Sequence, residues 1–124
     1  YLLAVFDSAD EIRALRPDLA KIAALGGKRM DVCCAAPGDS SGSFGGFDVV
    51  SRFFAPADGI PEDPATGSAH CMIAPFFSER LGKAELKCFQ AYPGRGAEIT
   101  TRMAGDRVKL IGRARTVIEG VFRV

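Results

Sequence analysis

The chain opens on an unbroken apolar run, Tyr1-Leu2-Leu3-Ala4-Val5-Phe6, of which residues 2–6 read as a short buried strand. Helical spacing then takes over. Ser8 followed three residues on by Glu11 is a capping-box pattern, opening a helix whose apolar face starts at Ile12 and Leu15. Pro17 ends that turn and restarts a helix from its first position, which buries Leu19, Ile22 and Ala23 until Gly26-Gly27 stops it. Met30 to Ala36 reads as strand, Pro37 to Gly46 as a Gly- and Ser-rich loop, and Phe47 to Phe54 as strand again.

Residues 55–66 are the least regular stretch, with Pro61 and Pro64 framing the adjacent carboxylates of Glu62 and Asp63. Gly67 to Leu81 returns to helix and Gly82 ends it. Pro75 is expected to kink that helix or end its first segment. Beyond Gly82 the period drops to two, giving strands near 85–91, 97–103, 107–111 and 114–122, separated by Gly94, Gly105-Asp106 and Gly112. The order β-α-β-β-α-β-β-β-β predicts an α+β domain spanning residues 1–124. Its curved mixed or antiparallel sheet would wrap around the helix that starts at Gly67, unlike a Rossmann alternation.

Composition narrows the function classes. A chain of 124 residues buries a core without disulfides or metals. The net charge of +1, with no clustered basic stripe, argues against a nucleic-acid partner. No run of about 18 apolar residues would span a membrane, and the apolar start lacks a basic region before it and a cleavage site after it. The cysteines, Cys33, Cys34, Cys71 and Cys88, form no Cys-x-x-Cys pair, and His70 is the single histidine. No zinc-ligand spacing is therefore present, and buried reduced thiols in a cytoplasmic protein are expected. If Cys33 and Cys34 sit on a strand, they point to opposite faces.

Candidate chemistry concentrates in Glu62-Asp63-Pro64-Ala65-Thr66-Gly67-Ser68-Ala69-His70. Thr66 is a good helix cap, and small residues at 67–69 would let a ligand approach the first-turn N–H groups. A helix start favours a carboxylate, and the Asp63-Pro64 step directs an ionisable group to the same mouth, a layout suited to moving a proton beside an acid group. An ordinary loop-to-helix junction, with Asp63 as a turn or capping residue, has the same residues. A Ser68–His70 dyad is disfavoured, since residues two apart on a helix do not face each other. Arg95, between two glycines, is placed either to grip a carboxylate or to sit as a solvated turn residue, the commoner fate of exposed arginine. For the adjacent pairs Phe53-Phe54 and Phe76-Phe77, packing of one ring of each pair in the core is the default.

Arg52-Phe53-Phe54-Ala55-Pro56, then Gly59 through His70, Pro75, Leu81-Gly82, Gln90, Gly94-Arg95-Gly96 and Gly112 to Gly120 resemble the signature of the PhzF-like phenazine-biosynthesis isomerase family. The resemblance implies a diaminopimelate-epimerase-like fold, in which two pseudo-symmetric halves enclose the active site. It implies cofactor-independent proton transfer on a small carboxylated substrate. Asp63 matches the family's active-site aspartate, and Gly67 and Ser68 match its substrate-contacting helix start. The family's principal glutamate and its assisting histidine belong to the first half, and this chain resembles only the second; Glu62 is not that glutamate. Two functions stand as alternatives: one wall of an isomerase or epimerase site, and a non-catalytic half-domain that binds a small acid or a partner protein. Either implies the missing half, or a second copy in a homodimer, as partner.

Overall fold

The computed structural model describes residues 1–25, 30–39 and 44–123. Seven strands form one sheet: β1 (Leu2–Val5), β2 (Val32–Pro37), β3 (Val49–Ala55), β4 (Ile60–Asp63), β5 (Glu85–Gln90), β6 (Ala97–Ala104) and β7 (Arg107–Ile111). Among the described residues, three α-helices accompany it: α1 (Ala9–Ala14), α2 (Leu19–Ala23) and the long α3 (Gly67–Leu81). The strand order is β1-β2-β3-β5-β6-β7, with β4 attached to β3. β1 runs parallel to β2 and β3 parallel to β5, while the other pairs are antiparallel. The α+β class, mixed sheet and central helix agree with the sequence reading.

Side-chain alternation along β2 and β3 sorts the core into two layers. Cys33, Ala35, Val49 and Phe53 join Leu86 and Cys88 beneath Ala69, Ile73 and Phe77 of α3. Val32, Cys34, Ala36, Val50 and Phe54 face the other way, against Ala9 and Ile12 of α1. Helices cover both faces of these two strands, which explains their nearly unbroken apolar sequence. The adjacent cysteines do point to opposite faces. Burial drives the thiols far from reactivity: Cys33 and Cys88 are pushed up to about 12 and Cys34 to about 11, mainly by desolvation. Cys71 departs from the expectation, since it is exposed on α3.

The edge of β3 is forked. Val49, Val50 and Ser51 pair with β5, whereas Phe53 and Ala55 pair with β4 across a register shift. Between the two branches lies the turn that leads from β4 into α3. This fork positions the candidate site.

The capping box at Ser8 and Glu11 is present in full. Other local expectations give way. The second helix does not begin at Pro17, because Asp18 caps it by accepting the Lys21 N–H at 3.1 Å. Leu19 and Ile22 are half-buried and Ala23 is exposed; the stop at Gly26-Gly27 lies outside the described residues. Pro75 neither ends nor splits α3, which runs through it with the proline on the exposed side. β4 occupies part of the stretch read as irregular. The expected strand at 114–122 is not formed: residues 112–123 join no ladder and lie exposed, having no sheet neighbour among the described residues.

Candidate active site

Gln90, the last residue of β5, closes the fork. Its side-chain amide donates to the Asp63 carbonyl at 2.5 Å and to Thr66 Oγ1 at 3.1 Å, while its Oε1 accepts the Thr66 N–H at 2.8 Å. The residue is almost wholly buried, so these bonds replace the water that the backbone groups would otherwise need. Gly96 makes this packing possible. A Cβ there would sit 2.3 Å from the Gln90 carbonyl oxygen and 2.6 Å from the Phe89 ring. Sequence reading placed Gln90 only within a family pattern; its tie to residues far upstream carries no local signal.

Thr66 does not cap α3 with its side chain, contrary to expectation. Its hydroxyl is engaged elsewhere, donating to Asp63 Oδ2 at 2.5 Å while accepting from Gln90. The first-turn amides of α3 are thus left without a side-chain cap. Asp63 is half-buried at the end of β4. Its other oxygen, Oδ1, takes only a long 3.4 Å contact from the Ala65 N–H, near the limit of a useful bond. Asp63 therefore makes the turn contacts of a structural residue and keeps one carboxylate oxygen nearly unengaged.

His70 is fully buried one turn into α3. Its Nδ1 lies 2.8 Å from the Thr66 carbonyl, which only accepts, so Nδ1 carries the proton. Desolvation holds the ring below its ordinary pKa, against the opposing pull of that carbonyl. Its Nε2 is buried without a hydrogen-bond partner. Ser68 points elsewhere: it is exposed, with Oγ 3.0 Å from the Tyr1 hydroxyl. The two residues form no dyad. Tyr1 stands beside the helix start, its ring packed edge-on against Phe53 at 5.0 Å between centroids. Gly67 faces β7 closely enough that a Cβ would meet Leu110 Cδ1 at 3.3 Å.

Glu62 has a structural task. It forms a two-pronged ion pair with Arg52, at 2.7 Å and 2.8 Å, and the side chains are only 13% and 6% exposed. Arg52 also donates to the Leu15 carbonyl at 2.9 Å and the Ile12 carbonyl at 3.4 Å, and lies over the Phe54 ring. One guanidinium thereby joins β3, β4 and the end of α1, in the fork-to-fork geometry that arginine favours. Arg95 is exposed on the turn before β6. Both Phe53 and Phe54 are core residues on opposite faces, while Phe77 is buried and Phe76 is exposed. An open groove of about 930 Å³ lies on the outer face of β5 and β6, lined by Lys87, Phe89, Arg95, Glu98 and Thr100. It reaches Pro64 and Ala65 but not Asp63, Gly67 or Ser68. Among the described residues, no three His, Cys, Asp or Glu side chains gather as a metal site would require. None of the described helices is long and apolar enough to cross a membrane.

Comparison with known proteins places the chain in a family. Residues 1–120 match the family model described as phenazine biosynthesis-like protein (PhzC-PhzF). An uncharacterized isomerase of Pseudomonas aeruginosa is 42% identical over 123 residues, covering 99% of this chain and 44% of its own length. The human phenazine biosynthesis-like domain-containing protein is 40% identical over 97 residues, covering 77% of this chain and 33% of its own. A solved PhzC/PhzF protein from Clostridium difficile superposes with a TM-score of 0.78 at 30% identity, covering 98% of this chain and 44% of that one. The chain spans less than half the length of these relatives. It belongs to the phenazine biosynthesis-like, PhzF-type family.

Proposed function

We propose that this member of the PhzF-type family supplies one wall of a cleft in which a proton is moved on a small carboxylated metabolite, an isomerase- or epimerase-type reaction. The observation that carries the reading is the start of α3. Its first-turn amides lack a side-chain cap, Ser68 is exposed there, and Asp63 stands one turn upstream with an oxygen nearly unengaged. Gly67 and Ser68 anchor the substrate carboxylate through N–H groups and the serine hydroxyl, as the partial positive charge of a helix start favours. Asp63 assists the proton transfer, or holds a substrate amine or hydroxyl. The reading needs no cofactor, because side chains and backbone dipoles suffice for this chemistry. The name isomerase, given to the Pseudomonas relative, agrees with it.

A second reading has its own observation. The chain covers 44% of that relative, which favours a non-catalytic half that binds a small acid or a partner protein. One experiment separates the two. Small carboxylates that carry a C–H next to a conjugated double bond, starting with a cyclohexadiene carboxylate, are titrated onto the chain while the amide signals of residues 67–69 are followed by NMR. The same mixtures in D₂O are then followed for deuterium entering the ligand. Exchange that falls about 10²–10⁴-fold in Asp63→Asn supports proton transfer. Binding lost in Ser68→Ala, without exchange in the parent chain, supports the second reading. Neither binding nor exchange removes both for the chain on its own.

A further inference from the structure

His70 takes no part in the proton transfer proposed above, yet its surroundings are unusual. The side chain is 0% exposed, and its two ring nitrogens are treated unequally. The Nδ1–H donates to the Thr66 carbonyl at 2.8 Å, while Nε2 is buried with no hydrogen-bond partner. A leucine would fill similar space without stranding a polar atom, so packing alone does not account for an imidazole here. What a leucine lacks is the Nδ1–H.

The acceptor of that bond is the cap carbonyl of α3. Such a carbonyl ordinarily accepts the first intrahelical bond, and here the imidazole adds a side-chain donor to it. The other polar groups of Thr66 are held as well. Its N–H goes to Gln90 Oε1 at 2.8 Å, and its hydroxyl is shared between Asp63 and Gln90. Gly67 has none of this support. It has no side chain and wide backbone freedom, and its N–H, at the first helical position, has no intrahelical acceptor. In a planar trans peptide the carbonyl and the following N–H point in opposite directions. Holding the Thr66 oxygen inward therefore turns the Gly67 N–H outward.

We propose that His70 is a positioning residue: its Nδ1–H grips the Thr66 carbonyl, fixes the plane of the Thr66–Gly67 peptide, and so aims the Gly67 N–H at the place a substrate carboxylate takes. That use rests on the carboxylate seat proposed above, whereas the grip on the peptide stands without it. A donor on the carbonyl also polarises the peptide, which makes the N–H on its far side a stronger donor. Gly67 is half-buried and Ser68 exposed, so the aimed N–H lies next to the serine hydroxyl at the mouth.

NMR of the isotope-labelled chain tests this. In the parent chain the imidazole nitrogen signals should show the proton on Nδ1. The Gly67 amide should be as ordered as the helix interior, with an order parameter of about 0.85. In His70→Leu that amide should shift and its order parameter fall toward about 0.6, while the amides of Met72 and Ile73 keep theirs. His70→Asn carries a side-chain N–H close to the place of Nδ1–H and should restore the Gly67 amide. A cyclohexadiene carboxylate should bind about 10-fold more weakly to His70→Leu than to the parent, and His70→Asn should recover most of that loss. A proton on Nε2 in the parent would overturn the proposal without any variant. A Gly67 amide unmoved in His70→Leu would overturn it too, as would equal loosening in both variants, which would assign the effect to the packing of the ring. If Gly67 responds to His70 but the parent binds no carboxylate, the grip on the peptide is supported and the carboxylate seat is struck instead.

Discussion

Replacing Glu62 by alanine tests whether the most acidic part of the Glu62–His70 string serves the scaffold. The substitution leaves the Arg52 guanidinium 6% exposed, its carboxylate partner gone and its remaining bonds directed to the carbonyls of Ile12 and Leu15. Removing one member of a buried pair costs about 3–5 kcal/mol, because the other charge stays desolvated. The 13% exposure of Glu62 lets water approach, so we expect the lower end, about 3 kcal/mol. For a chain of this length that corresponds to a melting temperature lower by roughly 10 °C. Glu85→Ala provides the control, since its pair with Arg102 is 45% and 54% exposed and is worth less than about 1 kcal/mol. Urea unfolding followed by circular dichroism reads both variants. The double change Arg52→Met/Glu62→Met should recover much of the loss, since both charges leave together. A Glu62→Ala cost no larger than that of Glu85→Ala would refute the claim that this pair pins β4 and α1 to β3.

Three further outcomes follow from the same geometry. Gln90→Leu removes three hydrogen bonds and strands the Thr66 N–H and the Asp63 carbonyl, at a cost of about 2–4 kcal/mol in urea unfolding; an unchanged midpoint would mean that the fork is held by other contacts. The depressed pKa of His70 means that the unfolded chain takes up its proton first as pH falls. Stability should be at its full value above about pH 7 and decline from about pH 6.5 downward, by at most about 1.4 kcal/mol per pH unit. His70→Gln should flatten that part of the profile, and the same slope in the variant would assign it to another group. Iodoacetamide should label Cys71 in the native chain, leaving Cys33, Cys34 and Cys88 until urea exposes them; early labelling of a second thiol would contradict the packing.

What the sequence disclosed depended on how local the cause was. The capping box at Ser8, the strands β2 and β3, and the helix closed by Gly82 rest on neighbouring residues, and all were legible; that helices cover both faces of β2 and β3 was not. β4 was not, because it has four residues, includes Pro61 and exists only where β3 offers the edge that β5 leaves free. Arg52 read as one more strand position, since its partners Glu62, Ile12 and Leu15 are brought to it by the fold. Gln90 was singled out only by the resemblance, with no local sign of its bonds to Asp63 and Thr66. The tail shows the opposite failure: its alternation reads as strand, yet residues 112–123 join no ladder among the described residues, because periodicity does not supply a sheet edge to pair with. The site residues Asp63, Gly67 and Ser68 came from the resemblance, as their bare pattern fits an ordinary helix entry equally well.

The geometry divides that string by direction, and the division bears on how the site works. Glu62, Thr66 and His70 turn inward, to Arg52, to Gln90 and Asp63, and to the Thr66 carbonyl. They hold the turn between β4 and α3 from beneath. Gly67 and Ser68 stay near the surface at a helix start whose amides have no side-chain cap. Asp63 belongs to both sets, with one oxygen tied to the Thr66 hydroxyl and the other nearly unengaged. A carboxylate that receives a proton must keep its position while its charge changes, and the Thr66–Gln90 network supplies that fixity without occupying both oxygens. Asparagine at 63 retains an acceptor for that network but cannot ionise. If Asp63 were only a turn residue, Asp63→Asn would change stability in proportion to any effect on exchange. If it moves protons, exchange falls while the unfolding midpoint stays nearly in place.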